Sequence, residues 1–448
     1  MSSSATPRSM EDAPFSRFHV YMTWCTAGGP FCDGYILGVI AIALAPLARD
    51  LDLSAGWQGA LGAASLLGLF VGAAVFGRVT DLVGRRLIYM IALAVFVGAG
   101  SLQFFAGDAW QLLVLRFVLG VAIGADYAVA TTLLTEFLPR HRRGQLLGVL
   151  TLAWWAGYVA SFAAGYLMLG LGSGAWRWML ASSAVPAVLV LALRAKAPES
   201  PLWLAQRGRR EEALVIVRDR IGSSYTLPEV PADEQRAVRW AAIFRSGYGR
   251  RTFFVSAFWS AQVAPLFALF TFQPQVLQML GVESPDLGSL VVSLFFLVGV
   301  LPGIFLVGSW GRRPVLLWGF VGPTVVLAVL GLTPGLGPLL VVAGFALFAI
   351  FNAGASVLPW IYPNELFPTG VRATAVGFSA AMSRIAAAAG TFLFPLGIAT
   401  FGIGPPLLAA AAISLGGLLV SLPLAPETRH LRLGEASRAQ AKSSGDAE

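Results

Sequence analysis

Glu136-Phe137-Leu138-Pro139-Arg140-His141-Arg142-Arg143-Gly144 returns 229 residues later as Glu365-Leu366-Phe367-Pro368-Thr369-Gly370-Val371-Arg372-Ala373, with its Glu, Pro and second Arg of the pair in place. Gly148 returns in the same register as Gly377. Gly84-Arg85-Arg86 recurs as Gly311-Arg312-Arg313, shifted by 227, and Pro198-Glu199-Ser200 recurs as Pro426-Glu427-Thr428, shifted by 228. Three separate motifs whose shifts agree to within two residues make the chain two copies of a single unit in parallel orientation. Outward from these motifs the sequence turns apolar. Stretches 53–77, 87–106 and 290–308 carry almost no charge, and runs of about 18 or more such residues read as membrane-crossing helices. The 448 residues are 57% hydrophobic and 12% charged, where a soluble domain carries about 25% charge. That composition excludes a soluble enzyme, a disordered chain and a disulfide scaffold. Cys25 and Cys32 read as packing residues.

Twelve helices are predicted, at 19–47, 56–77, 86–106, 110–136, 145–169, 176–195, 251–280, 287–308, 314–333, 338–362, 373–398 and 404–424. The chain divides into a tail at 1–17, a six-helix bundle at 18–195, a linker with short helices at 196–250, a second bundle at 251–426 and a tail at 427–448, expected to be disordered. The polar stretch is read as beginning at Arg194. The net charge of +8 does not point to nucleic acid. Arg78, Arg85, Arg86, Arg140, Arg142, Arg143, Arg312, Arg313 and Arg372 fall on alternate connections, and the intervening ones hold Asp50, Asp52, Asp108, Glu283 and Asp286. Arg49 and Arg177 are the main exceptions. This is the positive-inside pattern of a multi-pass protein in the inner membrane, with both termini cytosolic.

Few ionisable side chains then remain at depth: Asp33, Arg116, Asp126 and Arg384. Asp126 lies ten residues from Glu136, hence about 15 Å in at about 1.5 Å per residue. Arg384 lies twelve from Arg372, hence about 18 Å in. A charge at the bilayer centre costs at least about 2.5 kcal/mol, so such residues face a cavity and carry function. His19, His141 and His430 lie away from midplane, so any proton carrier is a carboxylate.

The stretch Gly77-Arg78-Val79-Thr80-Asp81-Leu82-Val83-Gly84-Arg85-Arg86 resembles the loop signature of the major facilitator superfamily. The Glu136–Gly144 motif and Pro198-Glu199-Ser200-Pro201-Leu202-Trp203-Leu204 resemble its sugar-porter and metabolite–proton-symporter branches, over residues 18–426. The resemblance implies an all-α membrane fold of twelve helices in two pseudo-symmetric six-helix bundles. It also implies alternating access around a small-molecule site between the halves, with no cofactor or metal and a monomeric state in the lipid bilayer. A cytosolic gate is implied at Asp81, Arg85, Arg86, Glu136, Arg143 and Glu199, with Arg312, Glu365 and Arg372 in the second half. In the family this Asp faces a helix N-terminus of the opposite half. Ser309 replaces it in the second copy.

Arg116-Phe117-Val118-Leu119-Gly120-Val121-Ala122-Ile123-Gly124 resembles the fourth-helix run of sugar porters, whose Arg pairs with a first-helix Asp. That Asp aligns with Ile36 here, and Asp33 stands one turn earlier, as in Asp-Gly-Tyr metabolite symporters. Asp33, Arg116 and Asp126 are thus the expected proton-coupling residues, since a carboxylate alternating between a cation and a low-dielectric site changes its proton affinity. Asp126 lies in Gly124-Ala125-Asp126-Tyr127, similar to the Gly-Gly-Asp-Tyr of phosphate symporters, although the following Ala128-Val129-Ala130 weakens phosphate. Organic-anion transporters resemble the eleventh helix, where Arg384 offers a fork for a carboxylate. Ala261 and Phe267 replace the polar sugar-binding residues of the seventh helix, whereas Trp360 matches the sugar-porter Trp. Trp154, Trp155, Tyr127, Phe267 and Phe270 give an aromatic lining, with Gln262, Gln273 and Asn352 as polar contacts. Such a site suits an aromatic or other monocarboxylate moved with protons. A sugar or polyol symporter, a drug or metabolite exporter, and a membrane sensor are the alternatives. No metal cluster, P-loop or nucleophile–base pair suggests an enzyme.

Overall fold

The computed structural model describes residues 8–139, 143–227, 243–244, 248–333, 335–367 and 369–429. The Arg140, Arg142 and Pro368 positions and the polar stretch 228–239 lie outside the described residues, as do the side chains of Arg78, Asp81 and Arg143. Among the described residues, twelve spans are long and apolar enough to cross a membrane, matching the predicted count.

The first half holds α1 (Arg17–Asp50), α2 (Ala55–Val83), α3 (Arg85–Leu102), α4 (Ala109–Phe137), α5 (Arg143–Met168) and a sixth span split into α6 (Ala175–Ala181) and α7 (Ala184–Arg194). After α8 (Pro201–Gln206) and α9 (Arg210–Arg220) the second half follows. It comprises α10 (Tyr248–Thr271), α11 (Gln273–Met279), α12 (Pro285–Ser309), α13 (Arg312–Leu332), α14 (Pro338–Ala355), α15 (Leu358–Leu366), α16 (Thr369–Phe401) and α17 (Gly404–Leu424). The predicted seventh and tenth helices are each interrupted, before Pro274 and Pro359. Proline supplies no N–H to the preceding turn.

The repeat in sequence is a repeat in packing. In the first half α1 packs on α5, α2 on α4 and α3 on α7; in the second α10 packs on α16, α12 on α14 and α13 on α17. The halves meet where α2 lies against α16 and α5 against α12. Small residues allow the closest approaches, as expected where lipid gives no hydrophobic drive between helices. Gly68 and Gly72 of α2 press on the backbone of Phe117 and Val121, and Gly120 and Gly124 of α4 press back on Ser65 and Leu69.

At the arginine-rich face each half ties the same knot. Gly84 and Gly311 have φ of 116° and 109°, a left-handed turn that leaves the N-termini of α3 and α13 with unpaired N–H groups. Glu199 accepts from the backbone of Arg85 (3.2 Å) and Arg86 (3.1 Å). Glu427 accepts from the backbone of Arg312 and Arg313 (both 3.0 Å). A Cβ on either glycine would strike the capping carboxylate. Beneath the caps, Arg85 pairs with Glu136 and Arg312 with Glu365 (2.6 Å). Ser200 and Thr428 donate to those same two glutamates. Glu199 is therefore a helix cap rather than a partner in a side-chain ion pair, because the turn offers it backbone donors. The knot also orders Glu427, Thr428 and Arg429, so the expected disordered tail starts no earlier than residue 430; residues 430–448 lie outside the described ones.

Burial works to raise the Glu427 carboxyl, and four backbone N–H donors outweigh it, so the carboxyl sits below its ordinary range. A depressed folded value means the cap stabilises above the unfolded value of about 4.3 and fades as pH falls through the folded value. Glu427→Gln is expected to lower thermal stability by about 0.5–2 kcal/mol near neutral pH. The gap to wild type should close below about pH 4. A gap that stayed constant down that titration would contradict the cap.

On the same face, Arg8–Ser9 (β1) pairs in parallel with Tyr225–Thr226 (β2). Met10 is buried against Trp203, Leu204, Ala213, Val217 and Leu227. The expected tail at 1–17 joins, from Arg8 on, the small helical unit that lies between the halves in sequence.

Candidate functional site

Between the halves, α1, α4 and α5 face α10, α15 and α16. Asp33 of α1 is fully buried, and neither carboxylate oxygen has a hydrogen-bond partner among the described residues. The charged groups facing it are Asp126, Arg194 and Arg384. The expected Asp33–Arg116 pair does not form. Arg116 Nε donates to the Leu61 carbonyl at 3.0 Å, and its two terminal nitrogens have no partner among the described residues. Asp33 stands three residues before Ile36, the position that the sugar-porter resemblance gives to the arginine's partner, and a three-residue offset turns the side chain about 60° around the helix.

Asp126 has a partner that the sequence reading takes as the first residue of the polar stretch and does not count among the charges at depth. Arg194, at the end of α7, is wholly buried and its Nη1 lies 3.1 Å from Asp126 Oδ1. Its Nε donates to the Cys25 carbonyl (2.5 Å) and its Nη2 to the Thr26 carbonyl (3.4 Å). Pro30 explains the second acceptor: lacking an N–H, it leaves the Thr26 carbonyl without its helical donor. Tyr89 of α3 also donates to the Cys25 carbonyl (2.9 Å). Gly29 completes the niche, because a Cβ there would strike Asp126 Oδ2 and the guanidinium. The motif Gly28-Gly29-Pro30 inside an apolar span is the signal that could have marked this opening.

Arg384 of α16 is 8% exposed. Its guanidinium carbon lies 5.8 Å from the Tyr127 ring centroid and 5.9 Å from that of Phe267. No ion pair of Arg384 with a carboxylate occurs among the described residues. Around it, Trp154 packs edge-on to Phe267 at 6.3 Å and Tyr127 stacks on Trp360 at 5.9 Å. Both side-chain amide atoms of Gln262 and the Asn352 carbonyl oxygen are buried without a partner among the described residues. Buried polar groups are almost always bonded, so this convergence marks a place for a ligand or water.

Three expected contacts stand elsewhere. Gln273 donates to the Ser289 carbonyl (3.1 Å), which commits it to the second half. Trp155 and Phe270 are 2% and 3% exposed and form a plug with Phe296 and Tyr158. Phe296 stacks on Trp155 at 4.8 Å, and Phe270 packs against Tyr158 at 4.5 Å. Phe296 went unnoticed because one Phe in an apolar span carries no distinguishing signal. The plug lies on the side of the site away from the arginine-rich knots, where Gln275 also bonds Gln58 across the halves (3.2 Å). On that same side Arg177, an exception to the charge pattern, is matched by Asp50 (3.0 Å).

Comparison with known proteins agrees with this architecture. A family model described as sugar (and other) transporter matches residues 22–439. YaaU of Escherichia coli (strain K12), by name a metabolite transport protein, is 40% identical over 96% of this chain and 97% of its own. The inner membrane metabolite transport protein YgcS of the same organism is 38% identical over 96% of each chain. The niacin transporter NiaP of Acinetobacter baylyi is 26% identical over 84% of this chain and 86% of its own. Among solved structures, the xylose transporter XylE from E. coli in a partially occluded inward open conformation superposes with a TM-score of 0.81 at 21% identity, covering 93% of this chain and all of that one. Two pseudo-symmetric bundles, the paired knots and a match to nearly the whole chain together place this protein in the sugar (and other) transporter family, a secondary transporter of the major facilitator superfamily rather than an enzyme.

Proposed function

We propose that the protein imports a small organic anion, an aromatic or other monocarboxylate, together with protons, across the inner membrane and with both termini in the cytosol. The observation that carries this reading is Arg384, a buried guanidinium without a carboxylate partner among the described residues, held between the rings of Tyr127 and Phe267. A carboxylate would meet the guanidinium fork, and a flat body would lie among Trp154, Phe267 and Trp360. The relative named a niacin transporter supports it, niacin being an aromatic monocarboxylate. Asp33 and Asp126 supply the carboxyls for proton coupling, and Arg116 stands apart from them. A sugar or polyol remains the second reading, favoured by the Gln262 side-chain amide and the Asn352 carbonyl oxygen, which have no partner among the described residues.

A thermal-shift series with nicotinate, benzoate, phosphate, xylose and myo-inositol at about pH 5.5 and about pH 7.5 tests the class. A ligand at about 100 times its Kd stabilises by about 2.7 kcal/mol. Shifts are expected for the two carboxylates. Shifts with the neutral polyols alone would reject the anion reading.

A further inference from the structure

Asp126 and Asp33 are both buried carboxyls, and their surroundings differ in kind. Asp126 has a counter-charge whose position does not depend on it. Arg194 is anchored by the Cys25 and Thr26 carbonyls and lies over the Tyr89 ring. Gly29 gives Asp126 the room to reach it. Asp33, four residues along the same helix, has no bonded partner among the described residues. The groups that face it from the neighbouring elements are Cys32 on α1, Asp126 and Tyr127 on α4, Arg194 on α7 and Arg384 on α16. The α5 face brings Trp154 and Tyr158, which are uncharged near neutral pH.

We propose that Arg194 is the fixed counter-charge of Asp126, so that Asp126 stays ionised through the cycle and Asp33 alone takes up and releases the proton. The proposal rests on the proton-coupled reading above and divides the labour within it. Uptake adds one proton to a carboxylate oxygen of Asp33, and release returns that proton to water on the opposite side. No bond to Asp126 is made or broken. Arg194 is a positioning residue: it acts on the proton step through Asp126.

Infrared titration of the protonated-carboxyl stretch in the purified, reconstituted protein reads this directly and needs no substrate. Wild type is expected to show one titrating buried carboxyl. D33N should lose it and D126N should keep it. R194Q should add a second, and R194K should restore the single one. Because R194Q removes a buried charge and can fail to fold, G29A serves as the second variant: its methyl displaces the Asp126 carboxylate while both charges remain, and a second titrating carboxyl is again expected. Loss of the band in D126N but not in D33N would overturn the proposal. So would an unchanged single band in both R194Q and G29A. Uptake that ignored an imposed pH gradient, alongside a titrating Asp33, would overturn the proton-coupled reading and leave the charge assignment standing.

Discussion

Arg384→Gln is expected to weaken carboxylate binding by roughly 10- to 100-fold, which corresponds to a charge-assisted hydrogen bond of about 1.5–3 kcal/mol. The geometry sets both the sign and the size. Arg384 as a whole is 8% exposed, so a bound anion would meet it with little water to screen the attraction. Its two aromatic neighbours hold it across the gap between α4 and α10, and the donor fork is therefore oriented before a ligand arrives. Arg384→Lys keeps the charge and loses the fork, so an intermediate loss is expected. Titration calorimetry or counterflow with nicotinate and benzoate measures both variants. Equal affinity in wild type and Arg384→Gln would mean that the anion is held elsewhere or is not the substrate.

The second large effect concerns stability. Arg194→Gln leaves the Asp126 carboxylate buried without compensation, at a cost of about 3–5 kcal/mol. Asp126→Asn strands the guanidinium instead, although the Cys25 and Thr26 carbonyls still hold it, so its loss should be smaller. The double variant Arg194→Gln/Asp126→Asn removes both charges and should recover most of what Arg194→Gln loses, since a buried pair as a whole adds little net stability. Intrinsic-fluorescence melting of the three variants in detergent gives the ordering. Losses that simply add in the double variant would show that the two side chains are not energetically coupled.

The twelve spans and the two-fold repeat were legible because both are local signals. Apolar runs report burial in lipid directly, and Gly84-Arg85-Arg86 and Gly311-Arg312-Arg313 carry their duplication on the surface of the sequence. Asp33, Asp126 and Arg384 were legible because a charge in an apolar run is conspicuous. Arg194 was not, since it sits at the boundary of an apolar run and a polar linker. Position along the chain made it the start of the polar stretch rather than a charge at depth, whereas its long side chain reaches back into the bundle toward a carbonyl that Pro30 had freed. The Asp33–Arg116 pairing failed for a related reason: shared depth does not fix the direction a side chain faces around its helix. Of the expected gate glutamates, Glu136 and Glu365 do pair with arginine side chains, whereas Glu199 caps backbone N–H groups, as Glu427 does in the second half; no sequence pattern displays such donors unless the left-handed turn at each glycine is followed through to its orphaned N–H groups.

The pairing of Arg8–Ser9 with Tyr225–Thr226 has a consequence for how the chain is made. The strand at the start of the chain has no partner until its mate has been translated, a wait of roughly 10–45 s at about 5–20 residues per second. By then Glu199 and Ser200 have also been translated, and both close the knot on Arg85 and Glu136. The first bundle can therefore be fastened from both ends while the second is still unmade. The ribosome then extends a chain whose leading half is already locked, and the later half has a finished surface on α2 and α5 to assemble against.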